Sequence, residues 1–246
     1  MVVALAFVAT VVSSLFAQAM LVRFTEGHRP EHRAWAVALG MFALASAALA
    51  TGASTGWDRG TFRVFYLFGA IVNVPWLAAG TVFLLASERV ARRVQWGLVL
   101  FTGFAAGVVL SAPMEAVHGT AIPVGKDVFG VLARVLAAVG SGTAAIVILV
   151  GAVVSAVRFA RDRSRADHSR RARANGLIAL GTFVLSSGGL VQGAIGHDEA
   201  FALSLAVGIS IVYWGFVLAG TRDKDRRGEE RGGTALVSPQ TFRGPP

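Results

Sequence analysis

The chain has 246 residues, of which 54% are hydrophobic and only 15% are charged, against roughly 25% charged residues in a soluble domain. Its apolar residues form long runs separated by short basic stretches, which excludes an ordinary soluble domain and is typical of a polytopic membrane protein. The net charge of +9 does not indicate nucleic-acid binding, because the arginines cluster beside the apolar runs, where they orient a membrane protein.

Seven apolar runs are long enough to cross a bilayer, since a transmembrane helix needs about 20 residues. An open strand edge cannot be satisfied in lipid, so we predict an all-α fold. The predicted spans are 2–22, 34–54, 64–86, 94–113, 131–157, 174–194 and 200–219. They form one transmembrane domain over residues 1–220, followed by a polar, disordered cytoplasmic tail over 221–246.

The basic residues predict how these spans are oriented. All of the 23 lysines and arginines except Arg59, Arg63, Lys126 and Arg134 lie in the first, third and fifth connections or in the tail. By the positive-inside rule, the N-terminus is outside and the C-terminus is in the cytoplasm. The fifth connection, Arg158–Arg173, is predicted to lie against anionic lipid head groups.

The first span has an alternative interpretation as a cleaved signal peptide. Its sequence "VSSLFAQAM" contains Ala17, Gln18 and Ala19, which resemble a signal-peptidase site. No lysine or arginine precedes the apolar run, so the basic n-region of a signal peptide is missing. We therefore retain the first run as a helix.

The positions of a few residue types argue against common membrane cofactors. The two lysines, Lys126 and Lys224, lie outside the spans, so a retinal Schiff base has no partner. The five histidines also fall outside the spans, which disfavours haem. Cysteine is absent, so thiolate sites and disulfides are excluded. We predict no cofactor.

The third span, which contains "YLFGAIVNVPWLAAG", carries an amide deep in an apolar run. Asn73 is about 15 Å from either end of the span, at the bilayer midplane. At 100° per residue it shares a mostly small or polar stripe with Tyr66, Trp76 and Gly80, which we expect to face the bundle. Pro75 lies on the other side and should kink the helix, freeing the Ile71 carbonyl. Asn73 is predicted either to make an interhelical hydrogen bond or to line a midplane cavity closed by Trp76.

Small residues in other spans are expected to let helices approach closely. The fourth span has Gly103 and Gly107 in "GFAAG", the fifth has "GSGTA" from Gly140, and the sixth has Gly189 and Gly193. Packing is the favoured account of these patterns.

A second set of polar residues falls on the predicted outer side. Glu115 and His118 are three residues apart, a spacing that puts both on one face of a helix. Such a pair is half of a carboxylate metal motif, or an acid and a base, but one copy is weak evidence for a metal site. An ion-pair cluster of Glu115 or Asp127 with Arg134 or Arg63 is the favoured reading, since an arginine below the head groups needs an anion.

The run "FRVFYLFGAIVNVPWLAAGTVFLL", with "GWDRGTFR" before it, resembles the third-helix region of uncharacterised multi-pass membrane proteins of high-GC actinobacteria. The resemblance covers about helices two to four. It implies a bacterial inner-membrane location and names no substrate or reaction.

The leading functional prediction is a protein that binds or transports a small molecule through an outward-facing cavity between helices three to six. The residues predicted to line this cavity are Tyr66, Asn73, Trp76, Glu115, His118, Arg134 and Gln192. One alternative is a structural or accessory subunit that acts through contacts with another membrane protein. The other is a membrane-embedded enzyme that uses Glu115 and His118, although the sequence favours a protein that is not an enzyme.

Overall fold

The computed structural model describes residues 1–161, 176–178, 180–185, 187–189, 192 and 197–234. Over these residues the backbone is helical except at short connections and in the longer segment 112–130 between the fourth and fifth predicted spans, which contains one short helix. The helices are α1 Val2–Gly27, α2 Pro30–Thr55, α3 Arg59–Phe65, a π-helical segment Tyr66–Val72, α4 Asn73–Leu85, α5 Glu88–Ser111, α6 Gly125–Val128, α7 Val131–Arg161, α8 Gly176–Gly189 and α9 Asp198–Thr234. The all-α prediction is confirmed for this part of the chain.

Within the described ranges, six helices are long and apolar enough to cross a membrane, as in a helical membrane protein. They are Val2–Gly27, Pro30–Thr55, Arg59–Leu85, Glu88–Ser111, Val131–Gly151 and Asp198–Leu218. Helix α8, in the region of the sixth predicted span, is shorter. The count of seven spans and their orientation remain predictions.

The surface of the helices is apolar, as lipid contact requires. Large apolar side chains that would be buried in a soluble domain are exposed on this surface, among them Phe7 at 63%, Leu100 at 72% and Trp214 at 70%. An exposed apolar surface of this extent marks a membrane or protein contact.

Helix three, which we define as α3, the π-helical segment and α4 together, lies at the centre of the bundle. Helix α1 packs on α2 and α9, while α2 and α7 pack on helix three. Ile71 is fully buried on one side of helix three and Asn73 is 8% exposed on the stripe facing away from it. Protein therefore covers both sides of this helix.

Two tryptophans occupy spaces that only glycine leaves open. A Cβ atom at Gly80 would lie 2.0 Å from Trp35 Nε1, and one at Gly52 would lie 2.4 Å from the Trp57 ring. The Trp35 indole enters the gap at Gly80 and donates a hydrogen bond of 3.2 Å to the Leu77 carbonyl. Gly80 thus fixes how closely α2 and α4 approach.

Helix three begins at a side-chain cap. The Asp58 carboxylate accepts hydrogen bonds from the backbone N–H groups of Gly60 at 2.7 Å and Thr61 at 3.0 Å, and from the Thr61 hydroxyl at 2.5 Å. The Thr61 hydroxyl and these backbone donors lower the pKa of Asp58 below its ordinary value. The cap satisfies the free N–H groups of the first turn.

Helix α9 extends beyond its apolar part to Thr234. Helical backbone therefore reaches into the segment 221–246 that we predicted as a disordered tail, and residues 235–246 lie outside the described part of the chain. Most of the basic connection Arg158–Arg173 lies outside it as well, so its contact with anionic lipid remains a prediction.

Candidate functional site

The backbone of helix three changes register directly before Asn73. Seven residues, Tyr66–Val72, form a π-helix directly before Asn73, and Pro75 follows in the first turn of α4. A change from five-residue to four-residue hydrogen-bond spacing leaves one carbonyl without a helical N–H partner. Pro75 removes one more donor. Both defects fall on the turn before Asn73.

Helix α7 compensates for these defects. The Ser141 hydroxyl donates a hydrogen bond of 2.6 Å to the Ala70 carbonyl of the π-helix. At the preceding residue, a Cβ on Gly140 would lie 3.1 Å from the Ile71 carbonyl and 2.9 Å from Phe101 Cζ. The absence of a side chain at Gly140 therefore brings α7 against the two carbonyls nearest the defect. The predicted close approach at "GSGTA" is confirmed.

Asn73 is buried, and its Oδ1 atom accepts no hydrogen bond from any described residue. An unpaired amide oxygen in an apolar environment costs several kcal/mol, so the Asn73 side chain lacks one stabilising hydrogen-bond donor. Asn73 lines neither of the cavities given below. The open outward pocket predicted at Asn73 is therefore not present among them.

Trp76 is held by helix α5. Its indole Nε1 donates a hydrogen bond of 3.1 Å to the Thr102 hydroxyl, which donates in turn to the Leu98 carbonyl at 2.7 Å. Both side chains are half-buried. Trp76 thus bridges helix three and α5 one turn after Asn73.

Tyr66, one predicted lining residue, belongs to an aromatic cluster above Asn73. Its ring lies 4.8 Å from that of Phe129 and 5.8 Å from that of Phe62, and only glycine fits beside it at Gly125. Phe129 and Gly125 belong to residues 112–130, called here the α5–α7 loop. That loop therefore covers the end of the polar stripe.

Backbone contacts hold the α5–α7 loop in place. The Trp57 N–H donates to the Gly119 carbonyl at 2.9 Å, and Gly119 has φ of +80°, a conformation that favours glycine. The Glu115 N–H donates to the Val128 carbonyl at 3.2 Å, which closes the loop on itself.

Asp198, the first residue of α9, ties the same loop to Gln192. One carboxylate oxygen accepts a hydrogen bond of 2.8 Å from the Ile122 N–H, and the other accepts 2.9 Å from the Gln192 Nε2. Gln192 is buried, and its Oε1 has no partner among the described residues. The predicted lining residue Gln192 thus contacts the α5–α7 loop through Asp198.

The prediction for Glu115 and His118 is wrong in its geometry. Both lie in the α5–α7 loop outside any helix, because the loop folds back on itself and on Trp57, and both side chains are exposed. Their spacing therefore does not place them on one helix face. Among the described residues no cluster of three or more His, Asp and Glu side chains suited to a metal ion occurs.

The predicted ion-pair cluster is also absent from the described residues. Arg134 and Asp127 are exposed, and neither Glu115 nor Asp127 forms an ion pair with Arg134 or Arg63. Arg63 instead donates from Nη2 to the Ala112 carbonyl at 3.0 Å, at the C-terminal end of α5, where carbonyls lack helical partners. A backbone carbonyl replaces the carboxylate that the sequence suggested.

Three residues that contribute to this region were not predicted as part of the site: Thr102, Ser141 and Asp198. Each acts through a contact between segments distant in the sequence. Only Ser141 had a local signal, since it lies in the small-residue patch "GSGTA" and the proline in helix three requires a donor from elsewhere.

Two cavities lie away from Asn73. One, of about 620 Å³, is lined by Glu88, Arg89, Arg92, Arg93 and Trp96 at the start of α5. The other, of about 510 Å³, is an apolar groove between α1, α8 and α9 that contains Ser210 and Trp214.

The class of protein that these features define is a helical membrane protein with a buried polar position in its central helix. No protein-family model matches the chain, and no curated protein matches it.

Proposed function

We propose that this chain is a seven-helix protein of a bacterial plasma membrane, with its N-terminus outside, that binds a small polar molecule at Asn73. The ligand reaches Asn73 from the outer side, between the third to sixth predicted spans. The present conformation is the closed one, with the α5–α7 loop as its cover.

The unpaired Asn73 Oδ1 carries this proposal. An amide with a purely structural role at the midplane would be expected to form a hydrogen bond to a neighbouring helix, because that bond offsets the cost of burying the amide. Two polar groups that contact helix three already have partners, since Ser141 bonds to Ala70 and Trp76 bonds to Thr102. The buried Ser46 hydroxyl of α2 has no partner among the described residues, and no hydrogen bond joins it to Asn73. The free acceptor calls for a ligand with an N–H or O–H donor.

The π-helical segment supports the same location. Single π-helical turns inside α-helices are costly and occur often at functional sites. This one ends directly before Asn73, and a second helix supplies the donor that maintains it. The resemblance of this region to actinobacterial membrane proteins fits the proposed location of the protein.

Replacement of Asn73 by leucine separates a binding role from a packing role. Leucine has nearly the shape of asparagine and removes the unpaired oxygen, so the ligand-free variant should be as stable as the parent or more stable. If Asn73 instead formed a structural bond, the variant would lose about 1 kcal/mol. The free energy of unfolding in mixed micelles measures this difference.

A thermal-stability screen of the parent then searches for the ligand. We expect small molecules with hydrogen-bond donors to raise the melting temperature of the parent but not that of Asn73→Leu. Stabilisation of both proteins by the same molecules would place binding elsewhere. A destabilised Asn73→Leu variant would overturn the proposal.

A further inference from the structure

The start of α5 presents basic, aromatic and apolar side chains in order along one exposed face. At 100° per residue, Arg89, Arg93, Trp96, Leu100 and Phe104 fall within a stripe about 80° wide. All five are exposed, Trp96 at 64%, Leu100 at 72% and Phe104 at 56%. From Arg89 to Leu100 the stripe descends about 16 Å, close to half the thickness of a bilayer core.

The basic end of this stripe carries uncompensated charge. Glu88 is engaged by Arg92, whose Nη2 lies 2.6 Å from Glu88 Oε1. Arg89 and Arg93 form no ion pair with any described residue, although they line the same cavity of about 620 Å³. Two guanidinium groups without an ion-pair partner among the described residues suit a phosphate.

No described residue packs on the stripe further along. A Cβ at Gly97, Gly103 or Gly107 would meet no atom within 4 Å. The close helix approach predicted at Gly103 and Gly107 is therefore wrong within the described part of the chain. The exposed Leu100 and Phe104 lie near these glycines on the same side of α5, further along the helix than Trp96.

We propose that this face of α5 is a binding site for one anionic phospholipid, whose phosphate contacts Arg89 and Arg93. Trp96 lies at the level of the interface, where its amphipathic ring is favoured, and the acyl chain follows Leu100 and Phe104. The order of charge, interface and hydrocarbon along the stripe matches the order along a phospholipid. A second copy docked in parallel would bring Arg89 and Arg93 against their own counterparts, so like charges disfavour it.

Quenching of Trp96 tests the proposal in the full-length protein. The Trp214→Phe variant leaves Trp96 as the most exposed tryptophan, since Trp214 is the other one at the lipid surface. The protein is placed in nanodiscs of phosphatidylcholine that contain increasing fractions of phosphatidylglycerol brominated near the head-group end of its chains. A parallel series uses brominated phosphatidylcholine.

We expect brominated phosphatidylglycerol to quench Trp96 at a lower mole fraction than brominated phosphatidylcholine does. In the reciprocal variant, Trp96→Phe, the two lipids should quench Trp214 equally. Adding Arg89→Gln and Arg93→Gln should raise the half-quenching fraction of phosphatidylglycerol about 25-fold, since each arginine near a charged head group contributes about fivefold. Arg59→Gln with Lys126→Gln, which removes the same charge at the opposite ends of the helices, should leave it unchanged.

Three results would overturn the proposal. Equal quenching by both lipids in the Trp214→Phe variant would show that there is no selective site. Reversal of the quenching by inorganic phosphate would identify a site for a free anion. Quenching that falls as two copies are placed in one nanodisc would show that a second copy covers the face.

Discussion

Replacement of Ser141 by alanine tests how the π-helical segment of helix three is stabilised. The Ser141 hydroxyl is a donor from α7 to the Ala70 carbonyl, at 2.6 Å, beside a turn that lacks helical donors because of the π-helix and Pro75. Its removal leaves a carbonyl without a partner in an apolar environment. We expect a loss of about 1.5 kcal/mol, well above the average of about 0.6 kcal/mol and near the maximum of about 1.7 kcal/mol measured for hydrogen bonds between membrane helices.

A double-mutant cycle with Pro75→Ala tests whether the Ser141 hydrogen bond compensates for the N–H group that Pro75 lacks. Alanine at position 75 restores an N–H group that can serve the same turn. In that background Ser141→Ala should cost only about 0.5 kcal/mol, a coupling of about 1 kcal/mol. The assay is SDS titration in mixed micelles, followed by far-ultraviolet circular dichroism.

Ser13→Ala is the matched control for this cycle. Ser13 is fully buried and its hydroxyl donates to Ala9 within its own helix at 2.6 Å, where the carbonyl also has a helical N–H available. Its replacement should change stability by less than about 0.5 kcal/mol and should not couple to Pro75→Ala. Equal costs of Ser141→Ala in the two backgrounds would refute the assignment of Ser141 to the proline defect.

Three further predictions concern contacts that hold helix three and its cover. Gly80→Ala should displace the Trp35 indole and cost about 2 kcal/mol, as unfolding will report, whereas Gly97→Ala, with open space around it, should be neutral or stabilising. Asp198→Ala should speed amide hydrogen exchange at Ile122 about tenfold by mass spectrometry, because the carboxylate is the acceptor for that N–H; unchanged exchange would count against its role. Asp58→Ala should lower stability at neutral pH. Because folding lowers the pKa of Asp58, this stabilisation is complete above the ordinary pKa of 3.8 and is lost as pH falls through the pKa in the folded protein. The free energies of unfolding of parent and variant should therefore become equal in acid. A difference that does not change with pH would contradict the cap.

The sequence predicts the spans well because lipid imposes a simple rule of length and hydropathy. The second and fourth runs appear as α2 and α5, longer at their N-terminal ends because polar residues extend a helix beyond the apolar run. The burial of both sides of helix three also followed from the depth of Asn73 and the angle of Pro75. These features depend on residues within one helix.

Contacts between helices were less accessible to the sequence. Pro75 indicated that a carbonyl needs an outside donor, and the patch "GSGTA" indicated a close approach of α7. No pattern in the sequence predicted the π-helix or the hydrogen bond from Ser141 to the Ala70 carbonyl. The Glu115 and His118 prediction failed because their spacing has meaning only in a helix, and the α5–α7 loop is held in another conformation by Trp57. Arg63 likewise donates to a backbone carbonyl. Every residue carries such an acceptor, so no sequence motif predicts this contact.

The most direct test of the proposed site is the access of water to position 73 from outside. The chain has no cysteine, so Asn73→Cys carries a single thiol, which reacts as the hydrated thiolate. Whole cells are treated with a charged, membrane-impermeant thiosulfonate, with Thr120→Cys in the exposed loop and Ala79→Cys, at 1% exposure, as the two limits. The account predicts that Asn73→Cys reacts more slowly than Thr120→Cys but far faster than Ala79→Cys, and faster still with Asp198→Ala. Reaction no faster than that of Ala79→Cys in both backgrounds would contradict it.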